Sequence, residues 1–328
     1  MKVAVVGAGA WGTTLSIIFT EAGHDVSLWI YERELCDKMK EERENKWYLP
    51  GFQVPASIGL SCNLSDAVSG AELIVFSTPS KHLREIATQA RKFVPLSASI
   101  LSAVKGLEEG TGERMSEVLR SVYPDNKIAV ISGPNLSKEI SKGLPAATIV
   151  ASIDLNVAKK IQSAVKLERF RIYVCNDVIG VELGGTLKNI IAIAAGIADG
   201  LSLGDNAKSA LMVRGMVEIS RLGVAMGASA ETFAGLSGMG DLITTCSSKL
   251  SRNHCVGEAI AKGEKLEDIL SGTKEVAEGV LTAKVAAGIA KKLNVEMPIT
   301  AEVCKVLFER KDPYKAIASL MMRELKKE

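Results

Sequence analysis

Short apolar runs alternate with amphipathic helical stretches from residue 2 to about residue 175. The apolar runs are rich in β-branched residues and have the length of strands, and the stretches between several of them have helical spacing. Strands separated by helices indicate βαβ units and a mostly parallel sheet, and continuous apolar runs indicate strands buried on both faces. The predicted strands are Val3–Val6, Val26–Ile30, Leu73–Ser77, Ser99–Ser102, Ile128–Ser132, Ala147–Ala151 and Phe170–Val174. The predicted helices between them include Ser80–Phe93, Gly112–Val122 and Leu155–Val165.

The pattern changes after Asp177, where strand signals end and apolar residues recur at helical spacing. Pro298 and Pro313 stand where two of the later helices are expected to begin. We therefore expect two domains, residues 1–176 with an α/β fold and residues 177–328 all-helical, with a ligand cleft between them as the default site. The predicted helices of the second domain include Val178–Gly200, Ser209–Met226, Val280–Leu293 and Ala301–Glu309.

Three glycines follow the first predicted strand in the pattern G-x-G-x-x-G. Gly7 permits a sharp turn off the strand, Gly9 lets the backbone approach a pyrophosphate, and Gly12 lets the next helix pack tightly on the sheet. The start of that helix directs N–H groups and a positive dipole end at a phosphate. The loop therefore predicts a Rossmann-like, dinucleotide-binding first domain and leaves substrate binding to the second. The alternative is an accidental glycine-rich turn.

Composition narrows the class of protein. The 328 residues are 47% hydrophobic and 24% charged with a net charge of +2, which favours a globular protein and gives no electrostatic case for nucleic-acid or membrane binding. The apolar stretch Ile190–Ile197 is shorter than the roughly 20 residues of a membrane span, and a strand beginning at Val3 argues against a cleaved signal peptide. Six scattered cysteines and three histidines predict no zinc site and a reducing, cytoplasmic location.

Two segments at predicted strand ends could carry chemistry in the first domain. Lys105 follows a strand directly, at the sheet edge where ligands of open parallel sheets bind, so it could reach a bound anion or carbonyl. Asn135 follows another strand and is expected to cap a short helix whose first turn contains Lys138 and Glu139. A solvated surface lysine and an ordinary helix cap remain the alternatives.

Lys188 lies in the apolar helix Val178–Gly200, where burial penalises a charged amine unless it is paired or functional. Desolvation lowers a lysine pKa and suits it to acid/base catalysis, and a snorkelling interface lysine is the alternative. Two glycines nearby, Gly184 and Gly185, indicate close approach by a cofactor or by the other domain. Asp241 is a candidate partner for Lys188, and Thr245 could add a hydroxyl.

The tripeptide Ser251-Arg252-Asn253 precedes a predicted helix, Val256–Ala261. A guanidinium, an amide and a helix N-terminus together are typical of an anion site. A capped helix start with a surface arginine is the alternative.

With these motifs, the chain resembles the soluble NAD(P)-dependent glycerol-3-phosphate dehydrogenases over essentially its whole length. The matching segments are the Gly7–Gly12 loop with Trp11, Tyr48-Leu49-Pro50-Gly51, Val104-Lys105-Gly106-Leu107, Gly133-Pro134-Asn135, Gly184-Gly185-Thr186-Leu187-Lys188-Asn189, Gly240-Asp241-Leu242 with Thr244-Thr245-Cys246, Ser251-Arg252-Asn253 and Val276-Ala277-Glu278-Gly279.

The resemblance implies a Rossmann-like domain followed by a helical domain, and reversible hydride transfer between dihydroxyacetone phosphate and sn-glycerol 3-phosphate, which feeds phospholipid synthesis. It implies that Lys188 exchanges the proton, that Lys105 polarises and holds the substrate, and that Asp241, Thr245 and Asn189 organise Lys188. The substrate contacts expected are Lys105, Gly133, Asn135, Lys188, Asp241, Ser251, Arg252 and Asn253. The cofactor contacts expected are Gly7, Gly9, Ala10, Trp11, Gly12, Tyr31, Arg33, Tyr48, Lys105, Ser137, Arg252, Val276 and Glu278.

The choice between NAD and NADP stays open in the sequence. Glu32 lies twenty residues after Gly12, where an acid binds the ribose 2′-hydroxyl of NAD, but Arg33 beside it could meet the 2′-phosphate of NADP and Tyr31 could stack on adenine. Many bacterial relatives carry serine in place of Ala10 and an arginine after the second strand. A small-molecule substrate and a homodimer are expected, with no nucleic-acid partner, membrane insertion or metal. A related β-hydroxyacid dehydrogenase and a nucleotide sensor without turnover are the competing hypotheses.

Overall fold

The computed structural model describes residues 1–272 and 277–324. The chain forms two compact units. The first comprises residues 1–108 and 113–182, and the second comprises residues 109–112 and 183–328. All strands of the described residues lie in the first unit.

The first unit is built on an eight-stranded sheet with the order β3-β2-β1-β4-β5-β6-β7-β8. All neighbouring strands are parallel except β6 and β7, which are antiparallel. The strands are β1 Lys2–Val6, β2 Asp25–Trp29, β3 Gly59–Ser61, β4 Leu73–Phe76, β5 Ser99–Ser102, β6 Lys127–Ser132, β7 Ala146–Ala151 and β8 Phe170–Cys175. The predicted strands are found within one residue at either end, but β3 was missed because its three residues form no apolar run.

Helices cover both faces of this sheet, as expected for a doubly wound fold. The helices are α1 Ala10–Glu21, α2 Arg33–Glu42, α3 Leu64–Val68, α4 Leu83–Ala90, α5 Met115–Val122, α6 Ser137–Ser141 and α7 Leu155–Ala164. Side chains of β1 alternate between two cores. Val3 and Val5 pack in one core with α1, α2 and α7, and Ala4 and Val6 pack in the other with α3, α4 and α5.

The strand order reverses direction between β1 and β4, which are hydrogen-bonded neighbours. From β1 the chain runs outward to β2 and β3, and it then crosses to the other side of β1 to form β4. Open α/β sheets bind ligands beyond the carboxyl ends of the strands at such a point. The fold therefore directs attention to the loops that follow β1 and β4.

The chain continues with α8 Val178–Gly200, α9 Gly204–Ala225, α10 Asp241–Ser247, α11 Arg252–Ala261, α12 Leu266–Ser271, α13 Glu278–Lys292, α14 Pro298–Glu309 and α15 Pro313–Met321. A π-helical turn, Leu236–Gly240, leads directly into α10. Pro298 and Pro313 are the first residues of their helices, as predicted. This part of the chain confirms the helical assignment and supplies the buried helices from which the second set of site residues projects.

By length and composition α8 could cross a membrane, because it has 23 residues and contains an 18-residue window with a mean hydropathy of 1.5. The apolar stretch Ile190–Ile197 considered in the sequence covers only part of this helix, so it understated the apolar length. However, 89% of its apolar window is buried inside the protein, which is typical of the core helix of a globular domain.

Candidate active site

The glycine loop joins β1 to α1 in the first unit, and its geometry matches the steric roles predicted for Gly7 and Gly12. Gly7 has φ +112°, and a Cβ there would lie 2.6 Å from the carbonyl oxygen of Ser77. A Cβ on Gly12 would overlap the carbonyl oxygen of Gly7, so this glycine brings the helix against the strand. A Cβ on Gly9 would have no neighbour within 4 Å, so the space beside it is open to a ligand.

The start of α1 is suited to an anion. The helix begins after Gly9 with no side chain capping its first turn. Helix N–H groups without an internal partner bind phosphate oxygens, and the helix dipole favours the negative charge. Two buried polar atoms near this point have no hydrogen-bond partner, the indole nitrogen of Trp11 and the hydroxyl of Thr78. Trp11 is the second residue of α1, which follows β1, and Thr78 lies in the loop after β4. The segments after both strands that flank the reversal of strand order therefore offer polar atoms without a hydrogen-bond partner.

These features fit a dinucleotide. The open side of Gly9 gives the pyrophosphate room, the first turn of α1 would hold it, and Trp11 offers a donor. When bound, the nicotinamide of such a cofactor supplies or accepts a hydride. Ala10, the other predicted contact in this loop, is the first residue of α1. Thr78 was not predicted, although its place directly after a strand would have identified it by the strand-end rule.

The residues after β2 are held unequally. Tyr31 is 73% exposed and packs its ring edge-on against Trp29, with 5.9 Å between ring centroids. Arg33 is exposed and begins α2. Glu32 between them is half-buried, and it accepts a 2.7 Å hydrogen bond from the hydroxyl of Tyr48.

Lys105 lies on the loop after β5, as predicted, and its ammonium donates to the carbonyl of Gly133 at 3.2 Å. Gly133 follows β6 with φ +144°, and a Cβ there would lie 3.1 Å from Thr148. The carboxyl ends of two neighbouring strands thus bring these two predicted substrate residues together. Two further buried hydroxyls at the same ends, those of Ser102 and Ser132, have no hydrogen-bond partner.

Asn135 does not cap a helix, contrary to expectation. The helix α6 begins one residue later than that role requires, with Leu136 at the N-cap position and Ser137 as its first residue. The side chain of Asn135 instead donates to the hydroxyl of Thr148 at 3.0 Å, because the buried Thr148 hydroxyl offers an acceptor across the sheet edge. Its own Oδ1 is buried without a partner. This oxygen is therefore an acceptor without a partner, two residues after Gly133 in the chain.

The second unit contains the predicted lysine constellation. Lys188 on α8 is 5% exposed, and its ammonium donates to Oδ1 of Asp241 at 2.5 Å and to the hydroxyl of Thr245. The Thr245 hydroxyl in turn donates to the Asp241 carbonyl at 2.6 Å, which orients its lone pairs toward the lysine. Asp241 and Thr245 lie one helical turn apart on α10, so a single helix face supplies both partners.

Gly184 allows this arrangement. A Cβ on Gly184 would lie 2.7 Å from the carbonyl oxygen of Ser237, so α8 packs against the π-helical turn that precedes Asp241. The expected close approach at Gly184 is therefore to backbone within the second unit rather than to a cofactor or the other domain. Single π-helical turns are rare and often occur at functional sites.

The tripeptide Ser251-Arg252-Asn253 lies at the start of α11, which begins four residues earlier than predicted. Ser251 is its N-cap, and the Ser251 hydroxyl accepts from the backbone N–H of His254 at 3.3 Å. Arg252 is the exposed first residue of the helix. Asn253 is buried and accepts from the backbone N–H of Gly279 at 3.0 Å. The capping alternative thus holds for Ser251, and Arg252 stands at a helix N-terminus as an anion site requires.

His254 was not predicted as a site residue. It lies in the first turn of α11, beside Arg252, and holds this turn through a contact with Asp199. Its Nε2 lies 2.7 Å from Oδ2 of Asp199, and its Nδ1 is buried without a partner. Asp199 also accepts from Lys208 at 2.5 Å. Burial opposes ionisation of Asp199, but the hydrogen bonds from Lys208 and His254 outweigh it and lower the pKa of this carboxyl.

The remaining predicted residues are placed as follows. Glu278 begins α13. A Cβ on the next residue, Gly279, would lie 2.7 Å from the carbonyl oxygen of Asn189, which is buried on α8 next to Lys188. Val276 lies outside the described residues. Within residues 1–272 and 277–324, no group of three or more His, Cys, Asp or Glu side chains is arranged to hold a metal ion.

A doubly wound sheet with a glycine loop at its reversal point, and a buried lysine held by a carboxylate and a hydroxyl, are the marks of a nicotinamide-dependent dehydrogenase. Residues 2–158 match the family model described as NAD-dependent glycerol-3-phosphate dehydrogenase N-terminus, and residues 177–318 match that described as its C-terminus. The chain belongs to the NAD-dependent glycerol-3-phosphate dehydrogenase family.

Individual relatives agree with this assignment. The chain is 46% identical to a glycerol-3-phosphate dehydrogenase of Syntrophotalea carbinolica named for NAD(P)+, over 100% of this chain and 99% of the relative. It is 44% identical to the enzyme of the same name from Citrifermentans bemidjiense, over 100% and 98% of the two chains. The crystal structure of glycerol-3-phosphate dehydrogenase from Coxiella burnetii superposes with a TM-score of 0.95 at 36% identity, covering 98% of this chain and 99% of that one.

Proposed function

We propose that this chain reduces dihydroxyacetone phosphate to sn-glycerol 3-phosphate with NAD(P)H, reversibly, and that Lys188 is its acid/base residue. The observation that carries the assignment of Lys188 is its burial between Asp241 and Thr245 on α10. Family membership supports the substrate, because relatives of similar length carry that name. The same membership favours this reaction over that of a β-hydroxyacid dehydrogenase.

In the proposed reaction, hydride adds to C2 of the substrate while the carbonyl π bond breaks toward oxygen. The developing alkoxide needs a cation and a proton at that oxygen. The Lys188 ammonium donates the proton to that oxygen and is left as the neutral amine. A nicotinamide bound by the first unit would supply the hydride with its two electrons. Asp241 and Thr245 fix the position of Nζ through the two hydrogen bonds described above. In the oxidation direction the neutral amine takes the hydroxyl proton.

Anion-binding groups complete the proposal. Arg252 at the N-terminus of α11 holds the substrate phosphate, with Ser251 and Asn253 shaping the turn, and Lys105, Gly133 and Asn135 add polar contacts to the substrate. Arg252 is suited to phosphate because its planar guanidinium donates two parallel hydrogen bonds. Glycine-loop residues with Tyr48, Ser137, Val276 and Glu278 contact the cofactor. We therefore assign most cofactor contacts to residues 1–176 and most substrate contacts to residues 177–328.

The same proposal includes the metabolic role of the enzyme, its cellular location and its oligomeric state. The product is the backbone of glycerophospholipids, so the enzyme feeds lipid synthesis. We place it in the cytoplasm, which the six scattered cysteines of the sequence support because reducing compartments keep thiols reduced. We also propose that it works as a homodimer, the commonest symmetric assembly of soluble enzymes.

Replacement of Lys188 tests the mechanism. Lys188→Ala should lower kcat for dihydroxyacetone phosphate reduction by about 10²–10⁴-fold, since it removes the proton donor. NADH affinity, measured by fluorescence titration without substrate, should stay unchanged. Added primary amines such as methylamine should restore part of the activity to this variant, because they supply the missing group.

Lys284→Ala is the matched control, because its ammonium is exposed on α13 and lies 3.5 Å from the exposed carboxylate of Glu109. It should behave as wild type. Retained activity in Lys188→Ala would refute the catalytic assignment. A wild-type protein that binds NADH but oxidises neither NADH nor NADPH with dihydroxyacetone phosphate would instead favour the nucleotide-sensor hypothesis.

A further inference from the structure

Tyr31, Glu32 and Arg33 follow the end of β2 and differ in how firmly the fold holds them. Ile30 continues the strand direction, its N–H donating to the carbonyl of Ser61 at 2.9 Å. The chain then turns into α2 with Glu32 at the N-cap position. Tyr31 and Arg33 are exposed, whereas Glu32 is half-buried with its carboxylate engaged. Only the acidic residue of the three is therefore presented at a fixed position.

A short turn connects Glu32 to the glycine loop. The buried Asn45 donates from Nδ2 to the carbonyl of Ala8 at 2.7 Å and to the hydroxyl of Thr13 at 2.8 Å. Its Oδ1 accepts from the backbone N–H of Tyr48 at 3.1 Å, and the Tyr48 hydroxyl donates to Glu32. One side of this turn is therefore fixed to the loop and first turn of α1, and the other side is fixed to the carboxylate. The spacing between the phosphate-binding loop and Glu32 is set by hydrogen bonds rather than left to a flexible side chain.

We propose that Glu32 selects NAD(H) over NADP(H) in this protein, and that Asn45 and Tyr48 are the positioning residues that hold it for that task. The proposal rests on dinucleotide binding by the first unit, as in the proposed function. In dinucleotide-binding folds, a carboxylate at the end of the strand next to β1 accepts hydrogen bonds from ribose hydroxyls. In this protein that strand is β2, and Glu32 follows its end. A 2′-phosphate at the same place would bring about two further negative charges against a carboxylate that Tyr48 prevents from turning away.

Arg33 does not offset this repulsion in the structure. A guanidinium could in principle pair with a 2′-phosphate, but Arg33 is an exposed side chain on the first turn of α2. Ordering an exposed arginine around a phosphate costs conformational entropy, whereas Glu32 is already held. The carboxylate that is already held therefore decides the preference against the exposed guanidinium.

Coenzyme binding without substrate provides the test. NADH and NADPH are titrated separately into the full-length wild-type protein and its variants, with bound coenzyme followed by fluorescence and by the shift in unfolding temperature. We expect wild type to bind NADH at least about 100-fold more tightly than NADPH, since juxtaposed like charges cost several factors of ten. Glu32→Gln should reduce that ratio to below about 10-fold, mainly by improved NADPH binding. Tyr48→Phe should reduce the ratio less and should also weaken NADH binding, because the carboxylate is intact but no longer held.

Glu34→Gln is the matched control. It removes the same charge two residues away on an exposed side chain that pairs with Lys38 at 2.7 Å. Its coenzyme ratio should equal that of wild type. If Glu32→Gln does not fold, Glu32→Asp keeps the charge but withdraws it by one methylene, and its ratio should be intermediate.

Equal or tighter NADPH binding by wild type would overturn the proposal, as would a ratio in Glu32→Gln, or failing that in Glu32→Asp, that matches wild type. Because no substrate is present, these results are independent of turnover. Selective NADH binding without reduction of dihydroxyacetone phosphate would uphold Glu32 as the selector and defeat the proposed function instead.

Discussion

In the first unit the candidate residues lie on loops at the carboxyl ends of strands, and in the second they project from helices. The glycine loop, Lys105 and Gly133 follow β1, β5 and β6, so the sheet itself sets where they stand. Lys188 and Asp241 come together only because α8 packs closely on the turn before α10, at Gly184. The first unit therefore positions a ligand mainly with backbone, and the second positions reacting side chains with one another. Substitutions in the two units should consequently impair different properties of the protein.

The largest effect on stability is expected at one of two glycines in the first unit, and the other glycine should affect coenzyme binding instead. Gly12→Ala should lower the free energy of unfolding by roughly 3 kcal/mol, because the added methyl group overlaps the Gly7 carbonyl and forces α1 away from β1. Gly9→Ala should leave stability within about 0.5 kcal/mol, because its methyl group meets no protein atom within 4 Å, yet it should weaken NADH binding about 10-fold or more. Urea denaturation and NADH titration measure the two effects separately.

Unchanged NADH affinity in Gly9→Ala would contradict the distinction between the two glycines. If Gly9→Ala binds NADH as tightly as wild type, the pyrophosphate does not pass over that residue. Gly23→Ala serves as a further control, since Gly23 has φ +84° after α1 and no atom near its Cβ position. It should cost about 1 kcal/mol of stability through backbone strain alone and should not change NADH affinity.

A smaller effect is expected from the His254–Asp199 contact in the second unit. His254→Leu should raise the KM for dihydroxyacetone phosphate about 10-fold and change kcat less than about 3-fold. The reason is that loss of a hydrogen bond to a charged acceptor loosens the turn that carries Arg252 without touching Lys188. His254→Gln retains an N–H donor and should recover most of the affinity. Steady-state kinetics with varied substrate at saturating NADH provide both constants.

His24→Gln is the control for that comparison. His24 also uses its Nε2 in a contact, 2.7 Å from the carbonyl of Ala164, but it lies between α1 and β2, remote from the proposed substrate residues in the chain. Its KM should be that of wild type. A fall in kcat with unchanged KM in His254→Leu would show that this contact acts on Lys188 and its partners rather than on the substrate turn.

The different construction of the units also explains what the sequence could predict. Most strands of the first unit, its parallel order and the glycine roles follow from local patterns, because strand ends and glycine sterics are set by neighbouring residues. Asn45 and Thr148 were missed, since a buried polar side chain that joins two loops leaves no periodic signal. Asn135 was given the wrong role because the Thr148 hydroxyl, which takes its side chain, is distant in sequence. In the second unit Lys188 was conspicuous as a charge in an apolar helix, but His254 looked like any residue of a helical turn.

Helix caps are local in several helices of both units, but one helix of the second unit is capped from a distant element. In the first unit Asn63 and Asp154 cap α3 and α7 from within the same few residues. In the second unit the start of α14 is capped from α9, because the buried Glu218 accepts from the backbone N–H groups of Ile299 at 2.6 Å and Thr300 at 3.2 Å. Burial raises the pKa of Glu218 to about 7, with these two hydrogen bonds opposing the shift.

This raised pKa predicts a specific pH dependence of stability. A carboxyl with a folded-state pKa above its unfolded value stabilises the fold fully below the unfolded pKa and loses that contribution as pH rises through the folded one. The contribution of Glu218 should therefore decline between its ordinary value of 4.5 and about 7. Relative to Glu218→Gln, which does not titrate, wild type should lose about 2 kcal/mol of unfolding free energy from pH 5 to pH 8, measured by urea denaturation.

Glu302 on α14 provides a control of opposite sign. Burial of Glu302 is outweighed by hydrogen bonds from Lys305 and Lys311, so the pKa of this carboxyl is lowered from 4.5. Its stabilising contribution should be constant from pH 5 to pH 8 and disappear only in more acidic solution. If wild type and Glu218→Gln show parallel stability from pH 5 to pH 8, the backbone N–H groups of Ile299 and Thr300 fully offset the burial of Glu218. The distant cap would then be as insensitive to pH as the local caps of the first unit.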